Sequence, residues 1–225
     1  MFIKLFAWLV FTMSPDKNDP AFMNQFRCPT GLLGKAVAEL MNREHCAMTT
    51  WGLKHVKIKP DFLILDVGCG GGRTVSRLAR RAFQGKVFGV DCSAEMVKYG
   101  IELNRKLLDE GRLEIVEGLV DKLSFPDGFF DLVTAFEAYY FWHSLSTAFR
   151  EIKRVLKPAG ILLLVNEMVK DGVYEMENAE MIAKAHVTLL PLKEIEGNLW
   201  NVGFVDVKVF TKEGSPWNAV IAMKP

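Results

Sequence analysis

Residues 62–74 read Phe-Leu-Ile-Leu-Asp-Val-Gly-Cys-Gly-Gly-Gly-Arg-Thr. Phe62–Val67 is nearly all apolar, as expected for a short strand buried on both faces. The glycines after it permit a tight turn and a close approach to the backbone where a Cβ would clash. Val75, Leu78, Ala79, Ala82 and Phe83 then recur at helical spacing, and Gly85 stops the helix. A doubly buried strand turned directly into a helix points to a sheet covered by helices on both sides, the α/β class.

The rest of the chain repeats this alternation. Val87–Val90 reads as a second strand ending at Asp91. Ser93 is an N-cap, with Glu95 in the first turn, for a helix running to about Asp109. Leu113–Val116 and Phe129–Phe136 read as strands three and four, with Pro126-Asp127-Gly128 as a turn. Ser144–Leu156 is helical, Lys157-Pro158-Ala159-Gly160 breaks it, and Ile161–Val165 is a fifth strand. A looser helical stretch spans about 175–202. Two strands near 204–210 and 219–223 close the chain as an antiparallel hairpin. We expect a doubly wound, mainly parallel seven-stranded α/β sheet with an antiparallel last strand.

Before Pro60 the pattern differs. Helices are expected from Gly34 to His45 and near Thr49–His55, forming an N-terminal helical cap. The expected division is residues 1–59, an apolar segment plus cap, and 60–225, the α/β domain. Residues 2–13 are apolar but for Lys4 and Thr12. As a helix they would span about 18 Å, short of the ~30 Å bilayer core, so a transmembrane span is not expected. Ser14-Pro15-Asp16 is no signal-peptide cleavage site. A lid helix, a peripheral membrane or homo-oligomer contact, and translation starting at Met13 or Met23 all remain open.

Half of the 225 residues are apolar, enough for a sizeable core, which excludes a disordered chain. Lys and Arg number 28 against 27 Asp and Glu, a net charge of +1, so nucleic acid is not an expected partner. Cys28, Cys46, Cys69 and Cys92 include no C-x-x-C pair. No metal site and no disulfide framework is expected, and a reducing cytoplasm is the economical setting.

The glycine turn carries the chemistry. Asp66, Gly68, Gly70 and Gly72 complete a D-x-G-x-G-x-G pattern. Asp91 closes the next strand, where a carboxylate can accept both hydroxyl hydrogens of a ribose. Together they specify an adenosine-type ligand at the carboxyl edge of the sheet. A G-x-G-x-x-G pattern begun at Gly68 would need glycine at position 73, where Arg73 stands. An NAD-dependent oxidoreductase is therefore a remote alternative.

These residues resemble the class I S-adenosylmethionine-dependent methyltransferases, close to the small-molecule type 11 group. LDVGCGGG resembles the family's first motif and GVDCSAEMV its second. FPDGFFDLV (125–133) and EIKRVLKPAG (151–160) resemble the runs leading into strands four and five. The resemblance implies S-adenosyl-L-methionine as cofactor. It implies Asp66, Gly68, Cys69 and Gly70 along the methionine part, Asp91 on the ribose, Cys92 and Met96 beside the adenine, and Phe136 near the sulfonium. The family commonly has an acidic residue after strand three for the adenine amino group. Leu119 stands there, so the backbone of Leu119 and Val120 is expected to read the adenine edge, with Asp121 a substitute only if the loop shifts.

The implied activity is transfer of the cofactor's methyl group to a small-molecule acceptor. A protein acceptor, or a non-catalytic cofactor-binding subunit, are the alternatives. The segment Ala135–His143 follows strand four and opens at the same edge. Glu137, Tyr139 and His143 are the candidate catalytic residues. Tyr140, Trp142 and Asn166, with His45 and Trp51 of the cap, are the candidate substrate contacts, packing under the cap being the alternative for the aromatics. Met48, Arg27 and Glu167 are weaker candidates. Tyr174, Met176, Met181 and His186 read as a core-facing stripe. Cys28 and Cys46 are the thiols left free for a soft metalloid acceptor.

Overall fold

The computed structural model describes Gln25, residues 27–170, residues 172, 176, 179 and 182, and residues 187–225. The apolar run 2–13 and Tyr174, Met181 and His186 lie outside the described residues. Met176 is exposed.

Seven strands form one sheet: β1 (Leu63–Val67), β2 (Lys86–Asp91), β3 (Leu113–Glu117), β4 (Phe130–Phe136), β5 (Leu156–Asn166), β6 (Val205–Thr211) and β7 (Asn218–Met223). Their order is β3-β2-β1-β4-β5-β7-β6. β7 runs antiparallel to both β5 and β6, and every other pairing is parallel. The expected seven-stranded, mainly parallel sheet is what the chain builds. Strand order reverses between β1 and β4, so a crevice opens beyond their carboxyl ends.

Alternating side chains on the strands feed two cores. Leu65, Val67, Val133, Ala135, Leu162 and Leu164 face one side. They pack there with α6 (Leu145–Val155) and α7 (Leu192–Val202). Ile64, Leu132, Leu163 and Val165 face the other, with Val75 and Leu78 of α3 (Arg73–Arg81) and Met48 of α2 (Cys46–Gly52). That second side also carries α1 (Gly31–Glu44), α4 (Ala94–Leu103) and α5 (Arg105–Asp109). Ser93 and Ser144 cap α4 and α6 by accepting from the backbone N–H of Met96 and Thr147. Among the described residues, no helix is long and apolar enough to cross a membrane.

Two expectations need correction. The helix expected from Ser93 to Asp109 breaks at Asn104, whose Nδ2 donates to Gly100 O at 2.8 Å and to Gly72 O at 3.0 Å. A side-chain amide that bonds a carbonyl one turn back competes with the helix ladder. Here it also ties the helix to the glycine loop. Lys157-Pro158-Ala159-Gly160 is not a connector either. α6 passes directly into β5, and the four residues form an irregularity where the register with β4 shifts between Phe130 and Leu132. Ala159 takes the strain, at φ +59°.

Candidate functional site

A cavity of about 460 Å³ opens at the carboxyl ends of β1, β2 and β4, roofed by the α1–α2 segment. Its wall at one end is the glycine loop. Gly68, Gly70 and Gly72 all have positive φ, at +73°, +50° and +79°. A Cβ on Gly70 would meet nothing within 4 Å, so the backbone there faces open cavity. A Cβ on Gly72 would stand 2.7 Å from Asn104 Nδ2, the same amide that fixes the loop.

Asp91 braces this loop from below. Its Oδ2 accepts from Gly70 N–H at 2.8 Å and its Oδ1 from Ser93 N–H at 2.9 Å. Asp91 itself lines the cavity, and a carboxylate offers more acceptor sites than these two bonds use. Burial pushes the Asp91 carboxyl up, against the pull of those backbone bonds.

Asp66 is 1% exposed yet lines the cavity. Thr134 Oγ1 donates to its Oδ1 at 2.6 Å. Burial pushes its carboxyl up to about 7, the threonine bond opposing and the Asp91 charge adding. Ionisation near 3.8 in the unfolded chain means that the folded state holds an extra proton between the two values. Stability contributed by Asp66 therefore falls as pH rises through that window. Asp66→Asn is expected to flatten part of the fall in Tm between about pH 4 and about pH 7, read by calorimetry without cofactor. Glu137, pushed up to about 8, carries another part of the fall.

Cys69, Cys92, Met96, Leu119, Val120, Phe136, Glu137, Trp142, His143 and His45 also line the cavity, as does Arg27. The structure thus brings together every residue the resemblance assigned to the cofactor. Leu119 is 62% exposed, whereas Asp121 turns inward and its Oδ1 is buried with no hydrogen-bond partner. Asn42 Nδ2, on the roof, is likewise buried without a partner. Nothing in the chain's pattern singles out Asn42.

Four candidates are placed elsewhere. Tyr139 and Tyr140 fall in a 3₁₀ turn, Tyr139–Phe141, that rotates both rings into the core, leaving 3% and 1% exposed. Trp51 packs edge-on against His55, with ring centroids 4.8 Å apart, and beside Trp217. Asn166 is buried, its Nδ2 donating to Asn218 Oδ1 across the β5–β7 pair. Cys28 is a free thiol beside Cys92, whose thiol is pushed up by burial, the Asp91 charge and Cys28, and the free thiol of Cys46 is exposed.

Glu137 links these two groups. It sits at φ +53°, which costs a residue with a Cβ roughly 1–2 kcal/mol. Its Oε1 accepts from the backbone N–H of Glu167 and from Tyr140 Oη at 3.2 Å. Met168 N–H in turn donates to Tyr140 Oη at 3.0 Å. Burial pushes Glu137 up, with the Glu167 charge adding to it. Glu167 is raised by burial too, while a Trp217 hydrogen bond opposes the rise. Burial drives His45 down to about 4, so its 3.8 Å contact with Glu167 involves a neutral imidazole at pH 7.

Residues 65–164 match the family described as "Methyltransferase domain". The sterol 24-C-methyltransferase of Gibberella zeae is 35% identical over 128 residues, covering 56% of this chain and 33% of that protein. The malonyl-(acyl-carrier protein) O-methyltransferase of Methylovorus sp. is 31% identical over 183 residues, covering 77% and 61%. This chain therefore spans one third to about three fifths of the length of these curated relatives. A chain of the complex between the Haloferax volcanii Trm112 methyltransferase activator and a methyltransferase superposes with a TM-score of 0.73 at 20% identity, covering 94% of this chain and 99% of that one. At that identity the likeness is one of fold.

Proposed function

Because this chain belongs to the class I S-adenosylmethionine-dependent methyltransferases, we propose that it methylates a small-molecule acceptor bound between the cap and the Phe136–His143 segment. The observation that carries this reading is the continuity of one cavity, from the glycine loop and Asp91 to Phe136, Glu137 and His143. The residues present suit the family's cofactor. Gly70 leaves room beside its backbone, Asp91 presents a carboxylate to the cavity, and Asp121 and Asn42 offer polar atoms without a partner among the described residues.

S-adenosylmethionine supplies an activated methyl on a sulfonium. The chain's own residues hold and orient the reactants, an effect worth roughly 7–11 kcal/mol when alignment is good. In this reading Asp91 takes the ribose hydroxyls and Asp66 meets the ammonium of the methionine part. The raised Asp66 carboxyl ionises once a cation lies against it. Phe136 and Trp142 exclude water from the transfer path, and His143, exposed on the cavity wall, is placed to take a proton from the acceptor. A cytoplasmic setting accords with four free cysteines, and near-neutral net charge favours a small molecule over nucleic acid.

Asp121 is the proposed side-chain acceptor for the adenine amino group, in place of the acid absent at position 119. Asp121→Asn is expected to weaken S-adenosylhomocysteine binding by about 1–3 kcal/mol. The same change should leave the 6-oxo (inosine) analogue unharmed, because that analogue has no amino hydrogens to give. Calorimetric titration of both ligands tests this, and equal losses for the two would remove Asp121 from the adenine site. The methyltransferase reading as a whole is tested by methyl transfer from labelled S-adenosylmethionine across a panel of hydroxyl, amine, thiol and carbon acceptors. Failure to bind the cofactor at all would end it.

A further inference from the structure

We infer that His45, Glu137 and Glu167 form a binding site for one divalent transition-metal ion at the acceptor end of the cavity. The three residues come from distant parts of the chain. His45 joins α1 to α2, Glu137 follows β4, and Glu167 follows β5. Their nearest donor atoms, one nitrogen and two carboxylate oxygens, all lie within 4.8 Å of one another, and His45 Nε2 is 3.8 Å from Glu167 Oε2. A first-row ion binds such donors at about 2.0–2.2 Å, which sets neighbouring ligands roughly 3–3.5 Å apart. The cluster needs to contract by no more than about 1.3–1.8 Å at its widest edge to reach that spacing.

The surroundings fit ligands rather than an ion-pair network. Among the described residues, no lysine or arginine pairs with either glutamate. Glu137 is oriented by donors: its Oε1 is held by the Glu167 N–H and the Tyr140 hydroxyl, and among the described residues nothing engages Oε2. The Trp217 side chain favours the carboxylate form of Glu167 against the effect of burial. Tyr140 is itself fixed by the Met168 N–H. Outer groups that donate to ligating carboxylates are the usual means of aiming them at a metal. Two carboxylates and an imidazole suit Zn²⁺, Mn²⁺, Fe²⁺ or Co²⁺, whereas Mg²⁺ and Ca²⁺ favour all-oxygen sets.

His45 and Glu137 also form part of the cavity wall, so the ion's open positions would face the acceptor. There it would bind an acceptor hydroxyl or thiol and lower its pKa. The proton leaves through His143 to solvent, the freed lone pair takes the methyl, and the sulfonium becomes a neutral thioether. This role rests on the proposed methyl transfer, whereas the binding site does not.

The test uses the full chain, stripped with chelator and titrated with Zn²⁺ and Mn²⁺ by calorimetry and with Co²⁺ by visible absorption. One equivalent is expected to bind, with ligand-field bands in the Co²⁺ form. His45→Ala and Glu167→Gln are each expected to weaken binding by at least about tenfold. S-adenosylhomocysteine binding, measured on the same samples, reports whether each variant is folded. A folded variant that binds the ion as tightly as the parent, or a parent chain with no saturable binding, overturns the metal site. Loss of cofactor binding by the parent chain would instead overturn the methyltransferase reading and leave the metal measurement standing.

Discussion

Asp91→Ala is expected to weaken S-adenosylhomocysteine binding by about 1–3 kcal/mol, roughly five- to 150-fold in Kd. The effect has two sources. The carboxylate is the proposed acceptor for the ribose hydroxyls, and hydrogen bonds to an ionised group are the strong ones. It also braces the glycine loop, because Oδ2 accepts from Gly70 N–H and Oδ1 from Ser93 N–H. Alanine strips both N–H groups of their partner. Asp91→Asn separates the two sources, since its single carbonyl oxygen can still brace one N–H, and an intermediate loss is expected. Calorimetric titration of the folded variants decides the matter, and a change in Kd below about twofold would refute the assignment of Asp91 to the ribose.

Gly52→Ala is expected to have a comparable effect by a different route. Gly52 ends α2 where the cap rests on the sheet. A Cβ at this position would stand 2.4 Å and 2.7 Å from the two γ-methyls of Val165, inside contact distance. Val165 is fully buried and has nowhere to turn. Overpacking of this kind costs about 1–3 kcal/mol, and lifting α2 would relieve it. Because α2 carries Thr49 of the cavity roof and follows His45, the lift should also lower cofactor affinity. Thermal unfolding reads the first consequence and calorimetry the second. A variant with unchanged Tm would show that the cap is not seated on Val165.

The cofactor end was legible in the sequence because its determinants are local. A glycine run between an apolar strand and an amphipathic helix has few alternative conformations, and Asp91 ends a strand that the same periodicity defines. The far end of the cavity was legible only in part: His45, Glu137, Trp142 and His143 were singled out and line it, but their grouping was not, because it is assembled across the chain. Nothing near His45 marks it as a neighbour of Glu137 and Glu167, since β4 and β5 must pair before the two glutamates meet. The aromatic segment misled for a related reason. Its composition suits a pocket, but one 3₁₀ turn sends Tyr139 and Tyr140 inward and leaves Phe141, Trp142 and His143 on the cavity wall. Tyr140 then serves the site indirectly, through Glu137. Asn104 hid its role as well. A single polar residue in a helical pattern reads as surface, yet its amide joins α4 to the glycine loop.

The residues just before α1 are fastened to the segment that follows β2: Ser93 donates to Pro29 O, and Cys92 to Arg27 O at 3.7 Å. Ser93 is also the residue whose N–H is held by Asp91. With Asp91 on the ribose, as proposed, any lifting of the roof to admit reactants would pull on the residues that hold the ribose. On that proposal a change that speeds departure of the spent nucleoside is expected to slacken the roof over the acceptor as well.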